Sequence, residues 1–254
     1  MKEKKCQVYF VGAGPGDPEL ITIKGRKCIE QADLVLYAGS LVPGAVVAWA
    51  GKGAEVRDSS SMTLDQTHAL MVETVRGGGT VARVHTGDPS LYGAVREQAI
   101  LLEREGIPYE IVPGVTAATA AAASARVSFT LPEKVQTLII TRLEGRTPVP
   151  EKERLKELSR HNASMALYLS ASDPEGIAEG LLAGGYDAKT PVVTAYRVGW
   201  PDELILRSRV STLVETVRTA GIRRQAVFLV LPGQEEEPVS SRLYCPDFLH
   251  GFRK

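Results

Sequence analysis

Gln7-Val8-Tyr9-Phe10-Val11-Gly12-Ala13-Gly14-Pro15-Gly16-Asp17-Pro18 is the stretch on which the reading of this chain turns. Its opening run is β-branched and aromatic and stops at Gly12, the pattern of a short buried strand. The glycines that follow lack a Cβ, so backbone amides there can come close to a ligand. Two familiar phosphate loops do not fit. Asp17 stands where G-x-G-x-x-G needs its last glycine, and no Gly-Lys-Ser/Thr follows at P-loop spacing. Asp17 before Pro18 also marks a capped helix start, so a plain tight turn is the favoured reading of the segment taken alone.

The same strand–turn–helix unit recurs downstream. Strands are expected over 33–37, 54–57, 80–85 and 108–112, alternating with helices over 20–31, 63–76 and 90–104. Thr63 is placed to cap its helix, with Asp65 and Gln66 in the first turn and Gly77-Gly78-Gly79 ending it. Such alternation predicts βαβ units and a mostly parallel sheet. After the alanine-rich helix Ala117 to Ala125 the pattern changes. Strands are expected over 135–141, 164–169, 191–196, 203–207 and 226–231, the third and fourth flanking Gly199-Trp200-Pro201 as a pair. Helices are expected over 151–159, 174–182 and 211–219. The fold class is therefore α/β in two domains: 1–125 with a mostly parallel sheet, 126–234 with a mixed sheet, and a solvated tail over 235–254 that opens on a glutamate run.

Whole-chain quantities narrow the function classes. The 254 residues allow one large domain or two small ones. Apolar residues make up 44% and charged residues 24%, which excludes a disordered or collagen-like chain. Thirty basic and thirty acidic side chains cancel, without the basic excess of a nucleic-acid binder. Cys6, Cys28 and Cys245 are scattered and form no C-x-x-C, as in a reducing compartment. The charged start Met1-Lys2-Glu3-Lys4-Lys5 leads into an apolar stretch too short for a signal segment or a membrane span. A cytoplasmic protein with no nucleic-acid or membrane partner is expected.

Two further strand-to-helix junctions resemble the first. One is His85-Thr86-Gly87-Asp88-Pro89-Ser90, where Asp88-Pro89 reads as a helix start and His85 as an ordinary strand-end histidine. The other is Pro113-Gly114-Val115-Thr116-Ala117-Ala118. In a parallel sheet all three turns lie at carboxyl ends of strands, where open α/β sheets bind ligands. The polar loop Thr141–Glu151, with Arg142 and Arg146, reads either as a solvated linker or as a clamp for carboxylates, which the planar guanidinium suits. His68, His85, His161 and His250 have no metal-ligand spacing, so no protein-bound metal is expected. No G-x-S-x-G motif is present either.

Five segments together carry a family resemblance: GAGPGDPELI (12–21), VHTGDPSLYGA (84–94), VPGVT (112–116), TRLEGRTPVPE (141–151) and WPDE (200–203). In this order and near these spacings they resemble the tetrapyrrole methyltransferase family. The last two segments, and a tail with Ser241-Arg242-Leu243-Tyr244, Phe248, His250 and Phe252, resemble the branch that methylates C11 of precorrin-4, and more closely the form of it that acts with cobalt in the ring. The resemblance spans nearly the whole chain. It implies a two-domain fold, S-adenosyl-methionine in the cleft between the domains, a tetrapyrrole substrate and a homodimer. Carried over residue by residue, it implies cofactor contacts at Pro15, Thr86, Gly87, Asp88, Leu91, Thr116, Ala117, Leu169 and Val198. Leu169 and Val198 depart from the commoner methionine and glycine of the family, which matters less where the contact is through the backbone. The substrate's acetates and propionates would be held by Arg142, Arg146 and Arg197. His85, Glu144 and Asp202 are the candidates for a general base. Competing expectations are a family member acting on RNA or protein, and a non-catalytic cofactor-binding homologue.

Overall fold

The computed structural model describes residues 7–235, 237, 239, 241, 248 and 249. The charged start, Cys6, Cys245 and most of the expected tail, including Arg242, Tyr244, His250 and Phe252, lie outside the described residues. By packing, the chain divides into two units. The first comprises the chain up to Ala120 together with Val198–Asp202, and the second Ala121–Arg197 with the chain from Glu203.

The first unit contains β1 (Val8–Gly12), α1 (Ile23–Gln31), β2 (Leu34–Tyr37), α2 (Gly44–Val47), β3 (Glu55–Asp58), α3 (Leu64–Arg76), β4 (Val81–His85), α4 (Val95–Arg104) and β5 (Tyr109–Val112). α5 (Ala117–Ala125) then carries the chain onward. The five strands form an all-parallel sheet in the order β3-β2-β4-β1-β5, with Gly12 opposite His85 and Val11 opposite Val112. The connections from β1 to β2 to β3 run one way across the sheet, and those from β3 to β4 to β5 run back. Right-handed crossovers then place the two sets of helices on opposite faces. The core shows this sorting. Val8, Phe10, Leu34 and Leu36 pack with Met71 and Val75 of α3 and Leu102 of α4. Val11, Val35 and Val84 pack with Ile29 of α1 and Val46 of α2. Both faces are covered over β1, β2 and β4, which are buried along almost their whole length, whereas β3 at the sheet edge is exposed and charged. The helices that follow the neighbouring strands β4 and β1 lie on opposite faces, the arrangement at which ligands of such sheets bind.

The second unit contains β6 (Leu138–Arg142), α6 (Leu155–Ser159), β7 (Ser164–Tyr168), α7 (Pro174–Gly184), β8 (Pro191–Tyr196), β9 (Leu204–Arg209), α8 (Leu213–Thr219) and β10 (Ala226–Val230). Its sheet order is β6-β7-β10-β8-β9. β6 and β7 are parallel and the other neighbours antiparallel, giving the mixed sheet expected. Met165, Leu167, Phe228 and Val230 form a core with Ile177 and Leu181 of α7 and Leu213 and Val217 of α8.

Most elements stand where the sequence places them, and the exceptions have physical reasons. Thr63 caps α3 as expected, and Gln66 returns a bond to the Thr63 amide to complete a capping box. The helix expected from Ser90 begins only at Val95, because Tyr92 (φ +57°) and Ala94 (φ +49°) take left-handed backbone that no helix tolerates. The helix expected from Leu20 becomes a single 3-10 turn, Pro18–Leu20, and then α1 with Thr22 as its cap. The strand expected from Val135 starts at Leu138, since Val135 bonds back to Leu131 in a tight turn. The helix expected over 151–159 breaks at Arg154, which is extended (ψ 143°).

Candidate active site

The three glycine-bearing junctions of the first unit converge at the ends of β4, β1 and β5. Gly87 donates its amide to the Gly14 carbonyl at 2.7 Å, and Gly14 donates back to Gly87 at 3.2 Å. Ala13 donates to the His85 carbonyl at 2.8 Å. A Cβ on Gly12 would lie 2.6 Å from the Gly114 nitrogen and 2.7 Å from the Gly87 oxygen, so no side chain fits there.

Asp88 binds this arrangement together. Its Oδ2 accepts the Gly114 amide at 2.9 Å, and its Oδ1 accepts the Ser90 amide at 2.8 Å and the Ser90 hydroxyl. Burial pushes the Asp88 carboxyl up, but these bonds outweigh it and hold it below the usual carboxylate range. Asp88 is thus not the helix cap that Asp88-Pro89 suggests. α4 starts after Ala94 with no side-chain cap, and the carboxylate ties one strand-end turn to another. Around this knot Pro15 is buried, Thr86 exposed, and Leu91, Thr116 and Ala117 half-buried. The Thr116 hydroxyl accepts the Ala118 amide at 3.1 Å at the start of α5.

Val198–Asp202 joins the same turn from far along the chain. The Trp200 indole donates to the Pro15 carbonyl at 3.1 Å, and a Cβ on Gly16 would overlap the indole, with Nε1 at 2.7 Å. Val198 is buried and Asp202 exposed. In the sequence Trp200 stands out only within WPDE and in the turn between the expected strands over 191–196 and 203–207. Nothing local in it signals a partner 185 residues upstream.

His85 is poorly suited to acid–base work. Its ring is 4% exposed and its centroid lies 5.9 Å from that of Phe10. Burial, with the Arg83 charge adding to it, pushes its pKa down to about 3. Nε2 is buried without a hydrogen-bond partner, so His85 is not the satisfied strand-end histidine of the sequence reading. Arg83 is itself buried, donating to Gln98 Oε1 at 3.1 Å, the Leu36 carbonyl at 3.2 Å and the Ser59 hydroxyl at 2.8 Å. Burial lowers its pKa to about 10, so it stays charged.

In the second unit the remaining candidates gather at one end of the sheet. Register places Arg142 opposite Tyr168, and Tyr196 opposite both Ala226 and Leu204. At that same end Leu169 (φ +53°), Arg197 (φ +46°) and Gln225 (φ +56°) all adopt left-handed backbone. Such conformations cost about 1–3 kcal/mol each and cluster at functional sites. Leu169 is 70% exposed, an unusual position for leucine. Arg197 donates its amide to the Gln225 carbonyl at 2.9 Å. Arg146 and Glu144 are exposed on the loop after β6, with Glu144 4.0 Å from Arg154 Nε. Arg142 instead turns onto that loop and donates to its carbonyls. Among the described residues no group of three or more His, Cys, Asp or Glu is placed to hold a metal ion, and no helix is long and apolar enough to cross a membrane.

The model of the tetrapyrrole (corrin/porphyrin) methylases matches residues 7–214. This chain belongs to the tetrapyrrole methylase family. The methylase is 48% identical over 252 residues to the cobalt-precorrin-4 C(11)-methyltransferase of Priestia megaterium, covering 98% of each chain. It also resembles the X-ray structure of a cobalamin biosynthetic enzyme, cobalt precorrin-4 methyltransferase, with TM-score 0.86 and 49% identity over 88% of this chain and 94% of that one. A more distant likeness is uroporphyrin-III C-methyl transferase from Thermus thermophilus complexed with S-adenyl homocysteine. There the TM-score is 0.74 and the identity 28%, over 89% of this methylase and 97% of that chain.

Proposed function

We propose that the protein is a C-methyltransferase that moves a methyl group from S-adenosyl-methionine to C11 of precorrin-4, with cobalt already in the ring, on the route to cobalamin. The observation that carries the reading is the knot of three strand-end turns at the switch point of the first sheet. Gly12, Gly87 and Gly114 pack backbone on backbone there, and Asp88 holds two of the turns in register. Similarity in name and sequence to cobalt-precorrin-4 methyltransferases over almost the full chain supports the substrate.

The residues fit the methyl donor. The turns bring bare glycine backbone together at the strand ends, and Asp88 is already occupied by amides. On this reading Pro15, Thr86, Gly87, Asp88, Leu91, Thr116, Ala117, Val198 and the exposed Leu169 contact the cofactor. When bound, it supplies an electrophilic methyl group on a sulfonium. The electron-rich ring supplies the carbon nucleophile, so this chain's task is to align the two and exclude water. Leu91, Leu169 and Val198 are apolar and introduce no competing nucleophile. Arg146 and Arg197 hold ring carboxylates as charged hydrogen-bond donors. Glu144 and Asp202 are the carboxylates left to accept a proton, since His85 with a pKa of about 3 is too weak a base at neutral pH. The working form on this reading is a cytoplasmic homodimer with no nucleic-acid or membrane partner.

Methyl transfer with cobalt-precorrin-4 and metal-free precorrin-4 side by side tests the proposal, alongside light scattering for the dimer. Faster turnover of the cobalt form supports it. Equal or faster turnover of the metal-free ring overturns the cobalt assignment, and no turnover of either overturns the activity.

A further inference from the structure

Arg142 ends β6 and is the first residue of the loop that resemblance assigns to the substrate. Its guanidinium has a different occupation from carboxylate binding. Nη1 donates to the carbonyls of Leu143 at 3.1 Å and Thr147 at 3.2 Å, and Nη2 donates to the Pro148 carbonyl at 2.8 Å. Three of its five N–H groups therefore close one loop onto itself. The end-on fork grip of a carboxylate uses one hydrogen from each terminal nitrogen, and both Nη1 hydrogens are committed here to loop carbonyls. The base of the loop is held as well. Leu143 donates its amide to Ser170 Oγ at 2.8 Å, and that hydroxyl donates to the Tyr168 carbonyl at 2.7 Å. Ser170 is 2% exposed, whereas Leu169 between these two bonded residues is 70% exposed with φ +53°.

We infer that Arg142 is a positioning residue and not a substrate ligand: it braces loop 143–148 while Ser170 ties the base of the loop to the Leu169 turn, so that the exposed Arg146 is the guanidinium this loop presents to the tetrapyrrole. The inference rests on the proposed function for the loop's assignment to the substrate. The brace itself rests only on the hydrogen bonds above. It unites two segments that resemblance treats separately, the substrate loop and the cofactor contact at Leu169, into one rigid piece of the second unit.

Charge and fork separate the two roles of an arginine. A lysine keeps the positive charge but cannot spread three donors across three carbonyls. In the brace, Arg142→Lys fails as Arg142→Ala does. Both raise the KM for cobalt-precorrin-4 about tenfold, the loss of roughly one net hydrogen bond's ordering, while the Kd for S-adenosylhomocysteine stays within about twofold. In both, amide hydrogen exchange at Leu143 and Gly145, whose amides are bonded to Ser170 Oγ and to the Thr147 carbonyl, speeds up about tenfold or more. Arg146→Lys, by contrast, keeps most of the substrate affinity that Arg146→Ala loses, without changing exchange in the loop. Ser170→Ala, which removes the acceptor of the Leu143 amide, accelerates exchange at Leu143. Wild-type KM in Arg142→Lys with unchanged exchange would overturn the brace and make Arg142 a charge ligand. Unchanged exchange in Arg142→Ala would overturn it whatever the kinetics. The exchange readout needs no substrate, so a wild-type enzyme that methylates no tetrapyrrole would refute the proposed function and leave the brace to be judged separately.

Discussion

The amide of Gly114 donates to the carboxylate of Asp88 at 2.9 Å, joining the turn after β5 to the turn after β4. β1 lies between those strands, and Gly12 at its end leaves no room for a Cβ between the two turns. The proposed cofactor cradle is thus backbone packed on backbone, with the Asp88 carboxylate tying the turn after β4 to the turn after β5.

Asp88→Ala should therefore damage binding through geometry. It leaves the Gly114 and Ser90 amides without their acceptor, at a cost of about 1–3 kcal/mol where such groups are buried. The expected outcome is a folded protein of lowered stability whose S-adenosylhomocysteine affinity falls about tenfold or more in calorimetric titration. Asp88→Asn keeps one acceptor oxygen and should recover part of the loss. Undiminished affinity in the alanine variant would show that the knot is not the binding site.

Gly87 has φ +62°, and an added Cβ would meet nothing closer than 3.9 Å. Space is available, and the backbone angle is what a side chain resists. Gly87→Val should strain the turn by about 1–3 kcal/mol and pull its amide away from Gly14. Circular dichroism should report a folded protein and titration a loss of cofactor binding. Full binding by the folded variant would remove this turn from the site.

His85 makes stability depend on pH with a definite sign. Its folded pKa of about 3 lies below the ordinary value near 6.5. Above pH 6.5 it is neutral folded and unfolded, and contributes no slope. Below 6.5 the unfolded chain takes up a proton that the folded chain refuses, so stability falls as pH falls toward 3, by about 1.4 kcal/mol per pH unit. Between pH 6.5 and pH 5 that amounts to roughly 2 kcal/mol from this residue. Urea unfolding at both pH values should show His85→Phe losing less stability than wild type by about that amount. Parallel losses in the two proteins would mean the ring protonates in the folded state.

Arg146→Ala should raise the KM for the tetrapyrrole and leave cofactor affinity unchanged. A charged hydrogen bond is worth about 1.5–3 kcal/mol, so catalytic efficiency should drop about ten- to a hundredfold. Wild-type kinetics would identify Arg146 as a solvated surface charge.

The parallel sheet was legible because its signals are local: apolar runs of four or five residues ended by glycine, and Thr63 heading α3. So was the meeting of three turns at strand ends, once parallel topology is granted. What escaped depends on tertiary partners. Asp88-Pro89 carries a helix-start signal, and only the nearness of Gly114 in space redirects the carboxylate. Trp200 reaches Pro15 across a gap in sequence that no periodicity spans. The one-turn helix α2 is too short for a 3.6-residue period to show. Arginine in a polar loop looks the same whether it awaits a carboxylate or holds its own carbonyls, as Arg142 does.

The central claim is methylation of one ring carbon, and the most direct measurement locates that carbon. Cobalt-precorrin-4 incubated with the enzyme and carbon-13 methyl-labelled S-adenosyl-methionine should yield a product carrying a single new labelled methyl group, placed by NMR at C11, with S-adenosylhomocysteine released in equal amount. A label at any other ring carbon, or S-adenosylhomocysteine released with no label on the ring, would contradict the account.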